Sequence, residues 1–151
     1  MANQHDETVA IKRLQANRII LEIWKTESGK HEYPKGAESK QIVPSEEEYV
    51  KTFRHPVEIP VGGHAEIGRY PTAPGGAAIS IEGDPNVSRR HFQIGFREDG
   101  SVWIKDISTN GVFLGSGKIR LPFNREQTLP EALQGAWFHF GEKYRARFLF
   151  R

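Results

Sequence analysis

Cysteine is absent from this 151-residue chain and methionine occurs once. That excludes disulfide staples and cysteine-based zinc sites, and fits a reducing compartment. A dominant charge is missing too: 21 Lys and Arg stand against 19 Asp and Glu, a net +2, too balanced for a protein whose main task is coating nucleic acid. Any positive patch must be local. No apolar run approaches the roughly 18 residues of a membrane span. The opening MANQHDETVAIKR has no apolar stretch behind a positive start, so no secretory signal is visible. The six histidines, at positions 5, 31, 55, 64, 91 and 139, include no pair at metal-ligand spacing. These absences predict a cytoplasmic chain with no metal, no cofactor, no specific nucleic acid and no membrane partner.

What is present is a core's worth of apolar residues, 37% of the chain, enough for one globular domain. Residues 1–17 are polar and read as a flexible N-terminal arm; order begins near Arg18. From there Ile19, Leu21 and Ile23 alternate with Ile20, Glu22 and Trp24, the period of a strand with one face inward. Ile79 and Ile81, then Phe92, Ile94 and Phe96, then Val102 and Ile104, then Phe138 and Phe140, then Ala146, Phe148 and Phe150 repeat that pattern. The spacers carry turn chemistry: PTAPGG at 71–76, Glu98-Asp99-Gly100, Asn110-Gly111, Gly115-Ser116-Gly117 and Gly141-Glu142-Lys143. Short strands at regular spacing with little helical periodicity predict an all-β sandwich, residues 18–151 forming one domain. The polar stretch at about 25–56 reads as an insertion between strands, and Pro44 to Val50, with Ser45 and Glu48 at capping-box spacing, predicts a short helix inside it. Thr128 and Glu131 have the same spacing, interrupted by Pro130, and predict a single turn. In the C-terminal run with Trp137, Tyr144, Arg145 and Arg147, alternation places phenylalanine in the core and arginine in solvent, a simpler reading than a nucleic-acid platform.

Three polar islands interrupt the alternation where strands meet loops: Gly68-Arg69, Ser88-Arg89-Arg90-His91, and Asp106-Ile107-Ser108-Thr109-Asn110-Gly111. Loops of a sandwich gather at its two ends, so distant islands can share one rim. Together they offer guanidiniums, hydroxyls and an amide with Asp106 as the lone acid. Such a donor-rich set suits a tetrahedral dianion, since guanidinium supplies charge-assisted contacts and hydroxyls fill the remaining acceptor positions.

The order GR, then SRRH, then DISTNG, with strands between, resembles the forkhead-associated (FHA) domain family of phosphothreonine-binding modules. The resemblance extends from about Arg18 to the closing GAWFHFGEKYRARFLF. It implies a β-sandwich of about eleven strands that holds a phosphothreonine peptide at one end and mediates phosphorylation-dependent protein–protein interaction. It implies Arg69 and Ser88 as phosphate contacts, Arg89 at a position that touches peptide backbone or phosphate, and Arg90 as added charge. It further implies Thr109 as the threonine of the STNG segment and Asn110 as the grip on the peptide main chain. Gly68, His91, Asp106 and Gly111 match positions that shape the loops. The implied partner is a phosphothreonine protein, a kinase substrate or the kinase itself. Gly115-Ser116-Gly117 stands where the family often has an asparagine, and the insertion before Gly68 is longer than usual.

Three other readings compete. A Ser-His-Asp hydrolase would use Ser88, His91 and Asp106, but no G-x-S-x-G elbow is present, so no catalytic residue is expected. Gly115-Ser116-Gly117-Lys118-Ile119 lacks the first glycine and the Ser/Thr of a nucleotide loop. A phosphate-independent scaffold or self-association sandwich is the alternative function. In the arm, Thr8 follows Asp6 and Glu7 and has Ile11 three residues on, so a phosphorylated Thr8 could fold back as an intramolecular ligand.

Overall fold

The computed structural model describes residues 16–26, 49–51, 57–115, 119–130 and 135–151. They form strands β1 (Arg18–Thr26), β2 (Tyr49–Lys51), β3 (Val57–Pro60), β4 (His64–Gly68), β5 (Ala77–Ser80) and β6 (Phe92–Phe96). The chain continues through β7 (Val102–Asp106), β8 (Val112–Leu114), β9 (Ile119–Arg120), β10 (Glu126–Leu129), β11 (Phe138–Phe140) and β12 (Tyr144–Phe150). Two sheets result. A seven-stranded one runs β2-β1-β12-β11-β8-β9 with β3 also on β1, and a five-stranded one runs β10-β7-β6-β4-β5. The β4–β5 pair is parallel and the other strand pairs are antiparallel.

Period-2 alternation decides which face is covered. Ile19, Leu21 and Ile23 of β1 and Ala146 and Phe148 of β12 meet Ile67, Phe92, Ile94 and Ile104 of the other sheet, all buried. Phe92 lies edge-on to Phe138 and Phe140, with centroids 5.5 and 5.0 Å away, an arrangement the ring quadrupoles favour. Each such side chain contributes about 1.5–3 kcal/mol by burial alone.

Chain direction gives the sandwich two distinct poles. Asn17 N–H donates to Arg151 C=O at 3.0 Å and Arg151 N–H to Arg18 C=O at 3.0 Å, so both described ends meet at one pole. The β6–β7 hairpin closes there on Arg97 N–H to Ser101 C=O, 2.8 Å, as Glu98-Asp99-Gly100 predicts. At the other pole lie the ends of β4, β5, β7 and β11 and the starts of β6, β8 and β12.

The all-β sandwich is as expected, and four details differ. Tyr49 and Val50 lie in a strand, because they pair with Thr26 and Lys25; the rest of the expected helix, the remainder of the insertion and residues 1–15 of the arm lie outside the described residues. Asn17, assigned to the arm, is pinned to Arg151. Thr128 extends β10 opposite Trp103 instead of capping a turn. Arg145 is 4% exposed, because its guanidinium stacks 3.8 Å from the Trp137 centroid while Arg147 stacks at 4.6 Å.

Candidate functional site

The three islands converge at the pole opposite the chain ends. Gly68 lets the first two meet: a Cβ there would lie 2.2 Å from the Arg89 carbonyl oxygen, so any side chain would force the segments apart. In the space that glycine leaves, Arg69 N–H donates to Ser88 C=O at 3.0 Å and Tyr70 N–H to Arg89 C=O at 2.8 Å. His91 N–H donates to Ile67 C=O at 2.8 Å. The Arg69 side chain then lies along the serine loop, its Nε donating to Val87 C=O at 2.6 Å. Its two Nη groups have no protein acceptor among the described residues, so they remain available.

His91 ties the second island to the third. Its ring is fully buried, Nδ1 accepts from Ser88 N–H at 2.9 Å, and Nε2 lies 2.9 Å from Gly111 C=O. An acceptor at Nδ1 and a carbonyl at Nε2 specify the neutral tautomer protonated on Nε2. Burial pushes its pKa down, against a weaker upward pull from the Gly111 carbonyl, Asp106 and Asp84. With both nitrogens spent on backbone, His91 does not face the Ser88 hydroxyl as a base would.

Asp106 builds the third loop from within. Its Oδ1 accepts from Ser108 N–H (2.9 Å) and Ser108 O–H (2.6 Å), and its Oδ2 accepts from Val112 N–H at 3.2 Å. Ser108 Oγ in turn accepts from Gly111 N–H at 2.7 Å. Gly111 has φ +100, a conformation that glycine takes without strain. The loop so formed offers Thr109 and Asn110 to solvent. Thr109 N–H donates to Ser88 Oγ at 3.0 Å, leaving the hydroxyl proton free to donate outward. Asn110 Nδ2 donates to Asn86 C=O at 3.2 Å, which presents its Oδ1 as an acceptor.

Five predicted residues therefore share one rim: Arg69, Ser88, Arg89, Thr109 and Asn110. The exposed Arg89 side chain makes no hydrogen bond among the described residues. Arg90 is drawn away, because its Nε and Nη2 donate to Glu66 Oε1 on the outer face of β4, at 2.9 and 2.6 Å.

Sequence reasoning missed Asp84, Asn86, Glu66 and Arg120. Asp84 is 4% exposed; it accepts from Asn86 N–H and Glu142 N–H, both at 2.9 Å, clamping the serine loop to the β11–β12 turn. Its Gly83-Asp84-Pro85 setting is an Asx-turn signal that could have found it. Arg120 Nη2 donates to Thr109 C=O at 3.2 Å, bringing a third guanidinium to the rim; no local motif marks it, since its place follows from β8–β9 pairing. Asp84 and Asp106 are buried and spent on N–H and O–H donors, while the half-buried Glu142 carboxylate accepts from Asn86 Nδ2 beside the rim.

Residues 65–131 match the family model described as the FHA domain. That segment spans β4 to the end of β10 and contains all three islands. The FHA domain of the CT664 protein from Chlamydia trachomatis shares the fold at 19% identity and TM-score 0.57, over 87% of this chain and 96% of that one. The MEK1 FHA domain does so at 18% identity and TM-score 0.58, over 97% and 99%. An engineered FHA domain with a Myc-pTBD peptide is similar at 21% identity and TM-score 0.50, over 88% and 92%. Among curated proteins, none matches the sequence.

Proposed function

We propose that this chain is a non-catalytic module that binds phosphothreonine peptides at the Arg69–Ser88–Thr109–Asn110 rim and recruits phosphorylated partner proteins. The observation that carries the reading is the join between Ser88 and Thr109: the hydroxyl is held by the Thr109 amide at 3.0 Å while the Arg69 side chain is fixed one residue away on Val87 C=O. The Ser88 O–H and the Arg69 Nη groups are thus preset as donors to one anion. Each hydrogen bond to a charged partner contributes about 1.5–3 kcal/mol. Three or four sum to about 4.5–12 kcal/mol before the cost of ordering a peptide, which corresponds to micromolar or weaker affinity. The match of residues 65–131 to the FHA domain model and the likeness of fold to an engineered FHA domain seen with a peptide support the reading.

Calorimetric titration of one peptide with and without phosphate tests it. Binding that needs the phosphate, and a loss of at least about tenfold in Arg69→Ala and in Ser88→Ala, is expected. Equal affinity for both peptides would instead make the chain a phosphate-independent scaffold.

The finer reading is relay of a kinase's output, with Thr8 as a competing ligand in cis. Thr8 precedes Asn17 by nine residues, a reach of about 30 Å when extended, against about 22 Å for the seven residues of β12. The arm can therefore span the sandwich only when nearly straight. Phosphorylated Thr8 should weaken external peptide binding, and equal affinity in the phospho-Thr8 chain and in a chain lacking the arm would end this idea.

A further inference from the structure

Glu66 is a fully buried carboxylate, 0% exposed, on the outer face of its sheet, where its cross-strand neighbour Ala78 is exposed and Gln93 half-buried. Four residues cover and bind it. From the β4–β5 crossover, Thr72 N–H donates at 2.6 Å, Thr72 O–H at 3.3 Å and Ala73 N–H at 3.4 Å, all to Oε2. From the serine island and β6, Arg90 Nε and Nη2 at 2.9 and 2.6 Å, and Gln93 Nε2 at 2.9 Å, take Oε1. One oxygen therefore holds the segment that begins at Arg69, and the other holds the segment that carries Ser88 and Arg89. Burial alone would raise the pKa of this carboxyl, but the Arg90, Thr72, Gln93 and Ala73 hydrogen bonds outweigh it and bring it down to about 2. The carboxylate is thus charged throughout the working range.

We infer that Glu66 and Arg90 are positioning residues for the anion rim, a joint that locks the Arg69 segment to the Ser88 segment from outside the sheet, and that Arg90 stays on Glu66 when peptide binds. The inference rests on the phosphothreonine reading and deepens it. Its geometric basis is that Arg69 and Ser88 sit on different segments. On the inner side these are joined by backbone hydrogen bonds around Gly68 and by Arg69 Nε on Val87 C=O, and on the outer side, among the described side chains, by Glu66. Without that outer joint the crossover can lift from β4, taking Arg69 away from Val87 C=O. Arg90, exposed at 48% in its side chain, pays for its fixed geometry with entropy that a free surface arginine would keep.

The test is peptide titration against Glu66→Gln, Arg90→Ala, the double variant and Arg69→Ala, with Arg Nε–Hε resonances followed by NMR. Arg90→Ala removes a half-exposed head group and leaves Glu66 its Thr72, Ala73 and Gln93 donors, so it is the milder of the two substitutions. Each single variant should lose about tenfold in affinity, the lower end of what loss of a ligand-orienting partner costs in metal sites. The double variant should lose no more than the worse single, because both break one joint. The Arg90 Hε resonance should hold its position on peptide addition while that of Arg69 moves. An unchanged or improved affinity in Arg90→Ala, or an Arg90 resonance that shifts with peptide as Arg69's does, would overturn the inference while the phosphothreonine reading survives. Loss of phosphate dependence in the parent, or an inert Arg69→Ala, would remove the reading itself and this inference with it.

Discussion

Replacing Gly68 by alanine puts one methyl group where the structure has no room. The added Cβ would stand 2.2 Å from Arg89 O, 2.9 Å from Arg89 C and 3.0 Å from Arg90 Cα. All three are backbone atoms, so no side-chain rotation relieves the contact, and the segments must part by roughly 1 Å. The Arg69 N–H to Ser88 C=O and Tyr70 N–H to Arg89 C=O bonds, at 3.0 and 2.8 Å, then pass beyond hydrogen-bond reach. Two lost bonds at about 1 kcal/mol each and an overpacking cost of about 1–3 kcal/mol sum to about 3–5 kcal/mol. That is a large part of the roughly 5–15 kcal/mol holding a domain folded. At about 2–4 °C per kcal/mol for a chain of this size, the Tm should fall by about 6–20 °C. Gly75→Ala is the control: its φ is +73 and nothing lies within 4 Å of its Cβ position, so only backbone strain of about 1–2 kcal/mol applies. Thermal unfolding followed by circular dichroism, with phosphopeptide titration below the transition, reads both effects. A Gly68→Ala protein that melts no lower than Gly75→Ala and binds like the parent would refute the packing argument.

Acid should weaken the fold in two stages. His91 is held below its ordinary 6.5 by burial, so the unfolded chain takes up its proton first and stability declines as pH drops below about 6.5. The Glu66 contribution is complete above 4.5 and disappears between 4.5 and about 2, worth about 3 kcal/mol; a urea midpoint that stays flat from pH 7 to pH 3 would contradict both. Asp84→Ala strands the N–H groups of Asn86 and Glu142, costing about 2–4 kcal/mol, and should lower phosphopeptide affinity through the serine loop. Phe92→Ala, at 0% exposure between two phenylalanine rings, should cost about 3–5 kcal/mol by denaturant titration.

The strands were legible because their alternation is local: Ile19, Leu21 and Ile23 share a face whatever surrounds them. The rim was legible because its three islands are short, contiguous and ordered along the chain. Contacts between distant segments left no such mark. Asp84 meets Glu142 across 58 positions, and nothing in either neighbourhood announces the other. Arg89 and Arg90 are chemically equal neighbours; which one is drawn to the outer face of β4 is decided by a carboxylate 24 positions earlier. Arg145 is buried against Trp137 for the same reason, since alternation names the face but not what covers it.

The adjacency of Asn17 and Arg151 has a mechanical consequence. The β1–β12 ladder runs from Ile19↔Phe150 at that pole to Lys25↔Tyr144 at the other, so tension applied through both ends loads one rung at a time, like a zipper. Peeling would travel toward Glu142, whose amide Asp84 holds, and would slacken the Ser88 loop. Single-molecule extension through residues 17 and 151 should show one low-force release with simultaneous ligand loss. Stretching through residues 17 and 140, which leaves β12 unpulled, should keep the ligand in place to higher load.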